Sequence, residues 1–220
     1  MIASLLVVDV AVCSEVAGVG VGPWDSERPG EMPDLGRMDA ELLADGDHRN
    51  VVDRYRYWTE AAIKADLAAS RAASGVELHV AIENLTHGFN IGSIVRTANA
   101  FNAAAVHIVG ARRFNRRGAM CTDRYLSMRH HDDDGALAGW AAAEGLPLIG
   151  IDNIAGSQPI ECFAFPARCV LVFGTEGAGL SSGAATACER VLHITQRGST
   201  RSLNAGAAAA IAMYAWATKH

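Results

Sequence analysis

Residues 169–173, CVLVF, are apolar without a break. A strand of this kind has no polar face to show to water, so it must be covered on both sides, as strands inside parallel sheets are. Other strand-like runs occur at 78–82 (LHVAI), 105–109 (AVHIV), 146–151 (LPLIGI) and 190–194 (RVLHI). Helix-like stretches follow at about 90–101, at 135–144, from Ser181 for a short distance, and at 204–217, where alanine dominates. Strands separated by helical stretches imply crossover connections, so the expected class is α/β, a parallel sheet flanked by helices. No internal repeat is present.

Three segments are expected along the chain. Residues 1–37 are punctuated by Gly18, Gly20, Gly22, Pro23, Pro29, Gly30 and Pro33, and read as a weakly ordered segment dispensable for folding; Met32 or Met38 would serve as an alternative start. The first twenty residues are no signal peptide by pattern, since they lack a basic n-region and Asp9 interrupts the apolar run. Residues 38–75 form a helical extension, most clearly over Thr59–Ser74 with Gly75 placed as a C-cap. Residues 76–220 form the main domain.

No apolar stretch reaches the ~20 residues of a membrane helix. The five cysteines (Cys13, Cys121, Cys162, Cys169, Cys188) include no CxxC pair, and the eight histidines show no HxxxH or HExxH spacing. Free thiols in a reducing cytoplasm and no metal are the expectation. The net charge of −5 argues against an indiscriminate nucleic-acid binder. Its distribution is uneven, however: Arg112, Arg113, Arg116, Arg117, Arg124 and Arg129 fall in one stretch with a single acid, Asp123. A basic surface on an acidic protein is one reading of this stretch; ordinary surface is the other.

Three polar or glycine-rich loops each follow a predicted strand, the place where open α/β sheets bind ligands. In the first, 83–102, the helix puts Ile91, Ile94, Val95, Ala98 and Phe101 on a core face, with Gly92 and Arg96 on the other side, so that Arg96 is expected to reach back over the bare Gly92. Asn90 is equally placed to cap the helix, and Arg96 to make a surface ion pair. In the second, 171–181, Gly174, Gly177 and Gly179 allow tight turns and close backbone approach, while Glu176 is also placed to stabilise the next helix N-terminus. In the third, 193–216, capping alone would explain Ser202 and Asn204. Capping does not explain the three loops together, in this order.

The ordered set N-x-G-x-x-x-R-T-A-x-x-F (Asn90–Phe101), V-F-G-T-E-G-x-G-L-S (Val172–Ser181) and S-x-x-S-L-N (Ser199–Asn204) resembles the motifs of the SpoU/TrmH-type branch of the SPOUT RNA methyltransferases, over roughly residues 78–217. Asn102 stands where that family usually has glycine, and Thr195-Gln196-Arg197 replaces a proline-containing stretch. The resemblance implies a C-terminal deep trefoil knot, a homodimer with sites at the subunit interface, and transfer of a methyl group from S-adenosylmethionine to a ribose 2′-hydroxyl of tRNA or rRNA. It carries cofactor binding onto Gly174, Ile194 and Leu203, with Val109, Gly110, Phe173, Thr175 and Gly177 as neighbours, and catalysis onto Asn90, Arg96, Glu176, Ser202 and Asn204. Arginine stays protonated at neutral pH, so Arg96 reads as a binder of the adjacent phosphate, held by Asn90, rather than as a base. Arg112, Arg113, Arg116 and Arg117 are the expected RNA contacts. Two other readings compete: a catalytically silent knotted RNA-binding homodimer, and a dinucleotide oxidoreductase, which would need the G-x-G-x-x-G that the chain lacks.

Overall fold

The apolar run at 169–173 becomes an inner strand of a seven-stranded sheet. The computed structural model describes residues 20–84, 90–115, 117–175 and 177–220. Its strands are β1 (Glu77–Asn84), β2 (Ala105–Gly110), β3 (Ser127–His131), β4 (Leu148–Ile151), β5 (Gln158–Pro159), β6 (Arg168–Phe173) and β7 (Arg190–His193). Its α-helices are α1 (Trp24–Glu27), α2 (Ala40–Asp45), α3 (Glu60–Ser74), α4 (Ile91–Ala100), α5 (Asp134–Glu144), α6 (Ser182–Ala187) and α7 (Ala205–Ala217). The strand order is β3-β2-β1-β6-β4-β7-β5, and every pairing is parallel.

Side-chain alternation along the central strands feeds two cores. Leu78, Val80 and Ile82 of β1 and Cys169, Leu171 and Phe173 of β6 meet Ile91, Ile94, Val95 and Ala98 of α4 and Ala209, Ala212, Met213 and Trp216 of α7. Ala81, Val170 and Val172 point the other way, towards Leu137 and Ala141 of α5 and Ala184 of α6. This two-sided burial is what an unbroken apolar strand requires. Two strands depart from the sequence expectation. β3 lies inside the basic stretch read as a loop, because four of its five residues (SMRHH) carry polar side chains at a half-exposed sheet edge. β5 is only two residues long, too short to leave a pattern.

The chain divides into two compact units between Leu67 and Ala68, inside α3. In the first, residues 20–37 include side chains with tertiary contacts. Trp24 is 6% exposed, meets Tyr57 edge-on at 5.3 Å and donates its indole N–H to the Glu31 carbonyl at 2.9 Å. The Tyr57 hydroxyl donates to the Gly22 carbonyl at 2.6 Å. Residues 1–19 lie outside the described residues. Cys162, Cys169 and Cys188 are free thiols, whereas Cys121 is disulfide-bonded, against the expectation of free thiols throughout.

Candidate active site

All strands being parallel, their carboxyl ends share one edge, and the sheet order brings the loops after β1, β6, β4 and β7 there side by side. The loop after β6 doubles back on itself. Thr175 and Gly179 exchange backbone hydrogen bonds of 2.9 and 3.0 Å. A Cβ on Gly174 would stand 2.0 Å from the Gly179 carbonyl carbon, so only glycine fits. Gly177 (φ +98°) and Gly179 (φ +73°) occupy the left-handed region that favours glycine.

Three carboxylates from different strand ends anchor this loop. The Leu180 N–H donates to Asp152 Oδ2 at 2.7 Å, the Ser181 N–H to Glu83 Oε2 at 2.9 Å, and the Ser181 hydroxyl to Asp134 Oδ2 at 2.8 Å. Ser181 Oγ in turn caps α6 by accepting from Ala184 N. Glu83 is 3% exposed, and its Oε1 has no hydrogen-bond partner among the described residues. Burial raises its carboxyl above the ordinary range, with Asp134 and Asp152 adding to the rise, while the Ser181 hydrogen bond works against it. Sequence reasoning missed Glu83, Asp134 and Asp152, each of which reads alone as a solvated acid.

The first and third loops meet directly. Asn90 does not cap α4 with its side chain. Instead its Oδ1 accepts from Asn204 Nδ2 at 3.1 Å, across 114 residues of sequence. Asn204 does cap α7, accepting from Gly206 N at 3.0 Å and Ala207 N at 3.2 Å, so one side chain performs both tasks. Arg96 projects from α4 into solvent and makes no hydrogen bond or ion pair with the described residues; its expected bond to Asn90 is absent. Gly92 also differs from expectation. It is no gap beneath Arg96, for a Cβ there would lie 2.8 Å from both Gly118 Cα and Ala119 N. The glycine lets the turn Arg117–Ala119 press against the start of α4.

That contact sets the basic stretch beside the first motif. A second tie comes from Asn84, whose Nδ2 donates to the Ala111 carbonyl and, at 2.9 Å, to the Arg113 carbonyl. Arg112 and Arg113 are exposed. Arg116 and Glu176 lie outside the described residues, as does the side chain of Arg117.

Of the expected cofactor residues, Phe173, Gly174, Thr175 and Gly177 share the loop after β6, and Ile194 and Leu203 belong to the loop after β7. Ile194 is half-buried against the core, and Leu203 is 38% exposed. Ser202 is exposed. Val109 and Gly110 are not brought to these loops. They end β2, which β1 separates from β6, and the Gly110 carbonyl accepts from His130 Nε2 at 2.6 Å. The strand between β6 and β7 is β4, so the loop that lies between the two motif loops is instead Asp152–Ser157, where Asn153 Nδ2 donates to the Arg201 carbonyl at 3.5 Å. Asn102, at the position where glycine was expected, adopts φ +51°, a conformation asparagine tolerates.

No helix of the described residues is long and apolar enough to cross a membrane, and no group of three or more His, Cys, Asp or Glu side chains among them is placed to hold a metal ion. The chain is 32% identical over 194 residues to a protein of Mycobacterium ulcerans named as an uncharacterized tRNA/rRNA methyltransferase, a match that covers 82% of this chain and 58% of that one. The chain thus spans little more than half the length of such relatives. Among solved structures it is similar to the SpoU methyltransferase AviRb from Streptomyces viridochromogenes in complex with the cofactor AdoMet, with TM-score 0.60, 29% identity, and 65% of this chain and 57% of that one covered. The A. aeolicus TrmH/SpoU tRNA modifying enzyme shares the fold at TM-score 0.60 and 19% identity, over 71% of this chain and 83% of that one. Residues 77–214 match the SpoU rRNA Methylase family, and the chain belongs to that family.

Proposed function

We propose that this chain binds S-adenosylmethionine against the loops that follow β6, β4 and β7, and transfers its methyl group to a ribose 2′-hydroxyl of tRNA or rRNA. The reading includes a C-terminal deep trefoil knot, a cytoplasmic homodimer, and no metal. The observation that carries it is the Asn90–Asn204 hydrogen bond. Two motif residues remote in sequence are joined at the strand ends by a contact that helix capping does not demand.

The residues fit the cofactor. The loop after β6 is open at Gly177, where an added Cβ would meet nothing within 4 Å, so a ligand can lie against its backbone there, and Ile194 and Leu203 offer an apolar wall for a purine ring. Bound S-adenosylmethionine supplies a methyl group already activated on a sulfonium. What remains for the chain is to align the ribose oxygen and give its proton a route. Arg96, without a partner among the described residues, grips the phosphate beside the target ribose, and a phosphate oxygen takes the proton. Asn90 positions Asn204 rather than Arg96. Ser202, Asn204 and Glu176 shape the space around the oxygen, and Arg112, Arg113, Arg116 and Arg117 hold RNA phosphates nearby.

Calorimetric titration with S-adenosylmethionine, and with NAD in parallel, tests the cofactor. Transfer of labelled methyl to tRNA and rRNA, mapped by resistance of the modified linkage to alkali, tests the reaction. Alkali-sensitive product would overturn the ribose assignment. Cofactor binding without transfer to any RNA would favour the silent RNA-binding homodimer, and NAD binding alone would remove the methyltransferase reading.

A further inference from the structure

At the opposite edge of the sheet, the amino ends of β1, β2, β3 and β6 and the last turns of α3 line an open-mouthed cavity of about 440 Å³. Its lining includes Arg71, Glu77, His79, Arg129 and Arg168. β1 runs from Glu77 to Asn84, so this cavity stands roughly 20 Å from the loops of the candidate active site.

The charge balance inside it is uneven. Glu77 is fully engaged: its Oε2 accepts from Arg168 Nε at 3.0 Å and its Oε1 faces His79 Nε2 at 3.1 Å. Because an ionised carboxylate only accepts, His79 Nε2 carries the hydrogen. His79 Nδ1 then accepts from His107 Nε2 at 3.0 Å, and His107 Nδ1 accepts from His131 Nε2 at 2.8 Å. Burial beside two other imidazoles pushes His107 down to about 2 and lowers His79 and His131. This line of histidines is therefore neutral, and the cavity takes its charge from the guanidiniums.

Arg168 is balanced by Glu77. Arg71 and Arg129 have no carboxylate within ion-pair distance among the described residues. Arg71 Nη1 donates to Asn102 Oδ1 at 2.5 Å and keeps its other donors. Arg129 lies 5.1 Å over the Trp140 ring and has no hydrogen-bond partner among the described residues. Arg71, which also feels the Glu77 charge beyond ion-pair distance, and Arg129 present two fork-shaped cations to one cavity, a match for a doubly charged oxyanion.

We propose that this cavity is a second binding site, in which Arg71 and Arg129 hold a phosphate group. The phosphate belongs either to a small phosphorylated molecule, whose size the cavity suits, or to the RNA backbone. The site does not depend on the methyl-transfer reading, and its test needs no turnover.

The probe is inorganic phosphate, titrated into the full chain at constant ionic strength made up with chloride. Phosphate should bind the wild type, and Arg71→Gln/Arg129→Gln should weaken binding by about tenfold or more. Arg129→Gln alone, at an exposed strand residue, should already weaken it measurably without altering the melting temperature in chloride, so misfolding of the double variant would not hide the result. Salt titration of RNA binding separates the sources. If the backbone phosphate occupies the site, the double variant lowers the slope of log K against log salt by about 0.7–0.9 and phosphate competes with RNA. If a small ligand occupies it, phosphate affinity falls while the RNA slope stays unchanged. Equal phosphate binding by wild type and both variants, or none by the wild type, overturns the proposal.

Discussion

Glu83 keeps one carboxylate oxygen buried and without a partner among the described residues while sitting near Asp134 and Asp152, so its charge works against the fold. A carboxyl whose pKa is raised on folding binds its proton more tightly in the native state. Its contribution is therefore neutral below the unfolded value of 4.5 and becomes a penalty as pH climbs through the raised one. Glu83→Gln can still accept from the Ser181 N–H and carries no charge. Its melting temperature relative to wild type should accordingly rise between about pH 4 and pH 8; a difference that stays flat with pH would show that Glu83 is not strained by its charge. Arg96 makes a different prediction. It is exposed and leaves no cavity on removal, so Arg96→Ala should keep the fold and cofactor affinity while lowering methyl transfer by about two orders of magnitude or more. Arg96→Lys should recover little, and raising pH should not help, because lysine lacks the planar grip on phosphate. If the arginine were instead a base, the lysine variant should gain activity as pH approaches about 10.4.

Helix α4 shows what was legible in the sequence and what was not. Its buried face, Ile91, Ile94, Val95 and Ala98, followed from periodicity because helical spacing is a local property. What Gly92 meets did not follow, since Gly118 reaches it only through the fold of an intervening strand and turn. The same holds for Asn90 and Asn204, each legible as a motif residue but not as a pair, and for the three acids around Ser181, which different strand ends deliver. β3 escaped because a five-residue strand with four polar side chains at a sheet edge looks like the basic loop around it. Its recognition shortens that loop and ties it to α4 through Gly118 and to β1 through Asn84. An anchored loop should contact RNA phosphates as a unit. Replacing Arg112, Arg113, Arg116 and Arg117 with alanine should weaken RNA binding and flatten its salt dependence by about 0.7–0.9 per lost contact, with cofactor affinity unchanged. An unaltered salt slope would reduce these arginines to ordinary surface.

At the scale of the whole molecule, α7 is apolar on more sides than one sheet can cover. Ala209, Ala212, Met213 and Trp216 are buried in the core, yet Ile211 is 41% and Tyr214 62% exposed. A helix hydrophobic on both sides is normally covered on both, and an exposed apolar patch on a folded domain marks a contact surface. A second copy of the chain is the covering that the proposed function calls for, since Asn204, which caps α7, would then lie close to the interface. Light scattering of the wild type should give twice the chain mass of 23.2 kDa at micromolar concentration. Ile211→Glu/Tyr214→Glu places two charges on that face without touching the core, and should reduce the mass to that of one chain while leaving the melting transition cooperative. If the active site draws groups from both copies, the same variant loses methyl transfer although Asn90, Arg96 and Asn204 are intact. A wild type that is monomeric and fully active would sink the dimer, and a monomeric variant with wild-type turnover would confine the site to a single chain.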